Sequence, residues 1–149
     1  MSIMGISQFE RFFREAASLD VDKDDLKRLS DFIDQKLHDL LLMGVATAKA
    51  NGRDVILVHD LPITKGLQES IHQFRKMDLA LELQPILDQL AKLPPLELAY
   101  GEDVETRLPE IVGGLTYAMA KTFKIIDPAL KNPQTEHWNR VADIFSLLL

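Results

Sequence analysis

The longest unbroken pattern in the chain is an apolar stripe at helical spacing between Asp22 and about Asn51, and it restricts what the chain can become. Leu26, Leu29, Ile33, Leu37, Leu40, Gly44 and Ala48 form the stripe, and Phe32, Leu41 and Val45 widen it. A helix apolar over so much of its circumference must pack on more than one neighbour. Asp22 offers an amino-terminal cap, and Asn51-Gly52 offers a left-handed stop.

The flanking segments give this long helix its context. Ser7 to Ala17 places Phe9, Phe12, Phe13 and Ala16 on one helical face, with Ser7 as the expected cap, and Leu19-Asp20-Val21 reads as a brief extended step. After the long helix, Val55-Ile56-Leu57-Val58 is β-branched and extended, and a third helix is expected from Asp60. Pro62 would be tolerated in its first turn, and Ile63, Leu67, Ile71 and Phe74 would face inward.

The same order recurs with little residue identity. Leu81 to Leu93 predicts a short helix, stopped by Pro94-Pro95, and Leu96-Glu97-Leu98 repeats the extended step. A second long helix follows, with Val104, Leu108, Ile111, Leu115, Met119, Phe123 and Ile126 in its stripe, and ends before Asp127-Pro128. Pro109 either kinks this helix or marks its true start. Gly113-Gly114 implies that another helix crosses close to the backbone, and the long helix of the first half is the expected partner. Asn132-Pro133 would cap a last helix carrying Trp138, Val141, Phe145 and Leu148.

Short helix, extended loop, long helix, extended loop, short helix, twice over, resembles the histone fold. The most specific segment is Gly52-Arg53-Asp54-Val55-Ile56-Leu57-Val58-His59-Asp60-Leu61, which is similar to the second loop and third-helix start of archaeal histones. The resemblance implies an ion pair between Arg53 and Asp60 that locks this loop to the third helix. The chain as a whole is similar to a family of uncharacterised bacterial and archaeal proteins with two fused histone folds. That implies an all-α chain whose halves, residues 1–76 and 77–149, share one core as an intramolecular pseudodimer. Long helices would cross, and the first loop of each half would lie beside the second loop of the other. The second half lacks the arginine-aspartate signature in Ala129-Leu130-Lys131-Asn132-Pro133.

DNA-binding histones grip phosphate with loop basic groups and helix amino ends, and place a first-loop arginine in the minor groove. Asp20 stands where the resemblance puts that arginine, Val55 replaces the expected threonine, and Asp54 replaces the expected lysine. A net charge of −6 also opposes polyanion binding. The charge is uneven, since residues 1–76 carry 11 Lys+Arg against 12 Asp+Glu, and the remainder 6 against 11. The first half is therefore the better candidate for a nucleic-acid contact, through Arg11, Arg14, Lys23, Lys27, Arg28, Lys49 and Arg53. These are interleaved with Asp22, Asp24 and Asp25, the pattern of a solvated face with local ion pairs.

Catalytic signatures are missing. The chain has no cysteine, and His38, His59, His72 and His137 form no pair at metal-ligand spacing, so neither a metal nor a cofactor is expected. No glycine-rich phosphate loop or nucleophile elbow occurs. The acidic clusters Asp22-Asp24-Asp25 and Glu102-Asp103-Glu105 sit at helix starts, where the dipole favours them. The start of the chain lacks a secretion signal and the longest apolar run, Leu40 to Ala46, could not span a bilayer, so a cytoplasmic location is expected. The function expected is that of a non-catalytic dimerisation or interaction module, contacting further copies or another protein through its third helices or the apolar end Phe145, Leu147, Leu148 and Leu149. The alternative is a weak, non-specific, nucleoid-associated DNA binder. No membrane contact and no small-molecule substrate is expected.

Overall fold

The structure, a computed structural model, describes residues 2–149. Six α-helices are formed by these residues: α1 (Ile6–Ala17), α2 (Lys23–Ala50), α3 (Lys65–Lys76), α4 (Leu83–Leu90), α5 (Glu102–Ile126) and α6 (Thr135–Leu148). Two-residue strands β1 (Val55–Ile56) and β2 (Ala99–Tyr100) precede α3 and α5 and pair in parallel, Val55 with Ala99 and Ile56 with Tyr100. The chain is thus all-α, and the order helix, loop, long helix, loop, helix occurs twice along it.

Capping residues fix most boundaries. Asp22 accepts the Asp25 N–H at 3.0 Å while the Asp25 carboxylate accepts the Asp22 N–H at 3.0 Å, a reciprocal box that starts α2 as expected. Gly52, at φ +70°, supplies the left-handed step after α2. Helix α1 starts one residue earlier than expected, with Gly5 rather than Ser7 at the cap position.

Three other starts differ from expectation. Asp60 closes a 3-10 turn over Val58–Asp60, because its carboxylate accepts the Leu57 N–H (2.8 Å) and the Arg53 guanidinium. It cannot also cap a helix, and α3 begins only after Thr64, whose hydroxyl accepts the Leu67 N–H at 3.1 Å. The extended pairing lies at Ala99-Tyr100, just beyond Leu96-Glu97-Leu98. The last helix starts after Gln134, not at Asn132-Pro133, with the Gln134 N–H donating to His137 Nδ1 at 2.9 Å. Helix α4 is shorter than expected and ends at Leu90; residues 91–93 continue it only as a turn, the Lys92 and Leu93 N–H groups donating to the Gln89 and Leu90 carbonyls, before Pro94-Pro95.

Pro109 is not a helix start. Helix α5 runs from its Gly101 cap through Pro109 to Ile126. Gly113 and Gly114 do mark a close crossing, but the crossing helix is α3 rather than α2. A Cβ at Gly114 would stand 2.5 Å from Ile71 Cγ1 and 3.0 Å from the Ile71 backbone nitrogen, and one at Gly113 would collide with the Phe74 ring. Arg75 and Glu110 bind across the same crossing at 3.0 and 2.8 Å, and the guanidinium holds the Glu110 carboxyl below its ordinary range. A single apolar cluster runs from Ile3 to Phe145 and takes side chains from every helix. At its centre Phe13 lies 6.1 Å from Trp138, whose ring meets Phe123 edge-on at 4.8 Å.

Candidate interaction surface

The paired loops form one end of the molecule. Arg53 grips Asp60 with both terminal nitrogens, Nη2 donating to Oδ1 at 2.6 Å, and the Asp60 side chain is fully buried. The guanidinium holds the Asp60 carboxyl down at about 2, against the opposing effect of burial. Beside this clasp the Gly101 N–H donates to the Ile56 carbonyl at 2.9 Å, and the Val58 N–H donates to Asp103 Oδ2 at 3.0 Å.

Carboxylates answer most of the basic side chains that sequence suggested as nucleic-acid contacts. Arg11 binds Glu15 (2.9 Å) and the Asp78 carbonyl (3.0 Å), Lys27 binds Asp31 (2.8 Å), and Lys49 pairs with Glu97. Arg28 donates to the Thr135 hydroxyl at 2.7 Å and so ties α2 to α6. Among the described residues Arg14 and Lys23 have no acidic partner within 4 Å; both are exposed, on α1 and at the start of α2. The seven do not converge on one patch, because Arg53 and Lys49 flank the β1–β2 pairing while Lys23 and Arg28 lie toward the start of α2. Exposed Asp54, Glu97, Glu102 and Asp103 crowd the paired loops, and exposed Asp20, Asp22 and Asp24 the opposite end.

No group of three side chains suited to a metal occurs among the described residues. His38 is buried and donates through Nε2 to the Pro94 carbonyl at 2.8 Å, which is a structural role. Trp138 is core, as expected, and its Nε1–H donates to buried Asp25 at 2.7 Å. Burial raises the Asp25 carboxyl above its ordinary value despite that bond and the one from the Asp22 N–H.

Apolar surface is concentrated elsewhere. Phe145 is buried and so is no part of it, but Leu148 is 75 % exposed and joins Leu42 (46 %) and Met43 (56 %) around an open groove of about 470 Å³. Leu148 falls on the α6 stripe after Phe145 but lies past the last turn that the core covers, and is exposed as the apolar end implied. The groove lies between α2 and the end of α6, with Leu115 of α5 as its floor and Lys36 in its wall. A neighbouring hollow of about 390 Å³ shares Thr64, Leu115, Leu148 and Leu149 with it and extends along α3. Sequence reasoning finds the leucine end but passes over Leu42, Met43 and Lys36. The available signal is the apolar pair Leu42-Met43 standing off the α2 stripe.

The architecture belongs to a known class. The solved histone from Methanopyrus kandleri superposes with a TM-score of 0.62 at 11 % identity, covering 93 % of this chain and 92 % of that one, so the fold is histone-like. A crystal structure from Thermus thermophilus is 58 % identical with a TM-score of 0.95 over 99 % of each chain. Another, from Aquifex aeolicus, is 28 % identical with a TM-score of 0.84, over 99 % of this chain and 97 % of that one. The chain belongs to the DUF1931 family, described as a domain of unknown function, whose model matches residues 9–146. A relative in Aquifex aeolicus strain VF5, itself described as uncharacterised, is 30 % identical over 120 residues, 80 % of this chain and 70 % of that protein. No helix among the described residues is long and apolar enough to cross a membrane.

Proposed function

We propose that this protein is a non-catalytic, cytoplasmic interaction module. In this reading residues 1–76 and 77–149 are two histone folds clasped within one chain, with Arg53 and Asp60 as a structural lock, and the module associates with further copies or another protein. The observation that carries the reading is the exposed apolar face of Leu42, Met43 and Leu148 around one groove. Support for the clasp comes from the loop pairings: β1 beside β2 at one end, and the Asp20 N–H donating to the Lys131 carbonyl at 2.7 Å at the other. Light scattering tests association. The native chain is expected above monomer mass or with a co-purifying protein, and Met43→Asp with Leu148→Asp is expected to return it to a monomer. A native chain that is strictly monomeric and alone would overturn the reading.

DNA binding is the weaker reading, because Arg11, Lys27, Lys49 and Arg53 are already engaged by carboxylates and Asp20 and Asp54 stand exposed at the loops. Displacing those partners would cost part of whatever phosphate contact was gained. A gel shift at low salt is expected to show no complex. A complex lost steeply with added salt would restore the DNA reading.

A further inference from the structure

A cavity of about 780 Å³ lies between α2, α4, the 91–98 loop and the start of α5. It shares no lining residue with the groove around Leu42, Met43 and Leu148. Leu41, Leu87, Leu90, Leu96 and Leu98 give it apolar walls, and its polar side chains are His38, Glu97, Tyr100 and Glu105. No lysine or arginine is among the residues that line it.

These polar groups are unequally occupied. Lys49 takes Glu97. His38, though buried, uses only Nε2, which donates to the Pro94 carbonyl at 2.8 Å; in the tautomer that a carbonyl partner requires, Nδ1 is left as an acceptor. The Tyr100 hydroxyl and the Glu105 carboxylate are half-buried and make no hydrogen bond or ion pair among the described residues. Asp103, not Glu105, makes the side-chain bonds that close the start of α5. Burial, with the nearby Glu105 charge, raises the Tyr100 hydroxyl above its ordinary range, so it stays a neutral phenol beside that carboxylate. Polar groups left unmet in a cavity with apolar walls are the usual furnishing of a small-molecule site, and the volume is of that size.

We propose that this cavity binds a hydrophobic primary amine, its ammonium held by Glu105 and Tyr100 and its apolar body against the leucine walls. An ammonium brings positive charge to the carboxylate and N–H donors to the phenolic oxygen. A carboxylate or phosphate ligand would instead meet Glu105 and Glu97 with no cation lining the site. A quaternary ammonium would bring the charge but no donor. The site stands apart from the association face and does not depend on it.

NMR titration of the full, isotope-labelled chain at neutral pH tests it. Phenethylammonium is the probe, 3-phenylpropionate its anionic counterpart, and phenethyltrimethylammonium the cation without N–H donors. Phenethylammonium is expected to saturate at one per chain and to move the amide signals of α4, the 91–98 loop and the start of α5. It should bind about tenfold more tightly than 3-phenylpropionate, and severalfold more tightly than the quaternary cation. Glu105→Gln should weaken the amine about tenfold without weakening 3-phenylpropionate, and Tyr100→Phe should weaken the amine severalfold. The melting temperature of each variant reports that the fold is intact. No saturable shifts, shifts centred away from the cavity, or equal binding of the amine and either control would overturn the proposal. So would native affinity for the amine in Glu105→Gln and Tyr100→Phe.

Discussion

The two ends of the molecule solve one problem by different means. At each end an aspartate in the first turn of a long helix reaches across to a distant segment: Asp103 accepts the Val58 N–H, and Asp25 accepts the Trp138 Nε1–H. At the first end that aspartate is exposed, and closure is shared with the β1–β2 pair and the Arg53–Asp60 clasp. At the second end no strands pair and no arginine clasp is present among the described residues. There the aspartate is buried, the loops share the Asp20–Lys131 bond, and Lys124 Nζ ties the loop by donating to the Leu130 carbonyl at 2.6 Å. The first end is held by strand pairing and by a half-buried arginine on a buried carboxylate, the second by aromatic packing around one buried polar bond. A buried ion pair returns in attraction little more than its desolvation costs, whereas packed aromatics are a net gain, so the second end should carry more of the stability.

Trp138→Ala should therefore cost the most, about 3–5 kcal/mol in urea unfolding, because it empties the space between Phe13 and Phe123. Trp138→Phe keeps a ring but leaves the buried Asp25 carboxylate without its indole donor, and should cost about 1–3 kcal/mol. If Arg53→Met proved more damaging than Trp138→Ala, the comparison between the ends would be reversed.

Arg53→Met should lower the melting temperature at neutral pH by less than Trp138→Ala, and its signature is pH dependence. Asp60 is held at about 2 in the folded chain, below the unfolded value of about 3.9. Its contribution is thus complete above about pH 4 and is lost as pH falls through about 2. Thermal melts of Arg53→Met should lose that acid slope. Asp34, on α2, has the opposite sign. Burial, helped by the Asp31 charge and opposed by Lys92, pushes its carboxyl up to about 6. The folded chain therefore favours protonated Asp34, and that contribution, present below about pH 4, disappears as pH rises through about 6. Asp34→Asn should raise the melting temperature at pH 7 and leave it unchanged near pH 3.5. An equal shift at both values would show that its charge is not the cause.

What could be read from the sequence was chiefly local. The α2 stripe and the Asp22 cap depend on residues within a few positions of one another, and the Arg53 to Asp60 spacing was recognisable as a motif. One error came from partners distant in the chain. Gly113-Gly114 announces a close neighbour without naming it, and the neighbour proved to be Ile71 and Phe74. Another came from competition close in sequence: Arg53 and the Leu57 N–H claim the Asp60 carboxylate, which then cannot cap a helix. Lys36 is one lysine among many on a charged helix, and only the approach of α6 and Leu115 places its side chain in the wall of an apolar groove.

The smallest effect is expected at Asp103, and it tests the comparison most finely. Its carboxylate accepts from Val58 and Val104 and sits at the positive end of the α5 dipole, but it is exposed. Asp103→Ala should cost about 0.3–1 kcal/mol, the scale of a surface helix-start charge. Asp25→Ala, the matching change at the other end, removes a buried acceptor from Trp138 and the reciprocal cap of α2, so about 1–3 kcal/mol is expected. Added salt should shrink the Asp103 effect and leave the Asp25 effect nearly intact, because screening reaches exposed charges and not buried hydrogen bonds. Equal costs and equal salt dependence at the two aspartates would mean that the ends are held by the same forces.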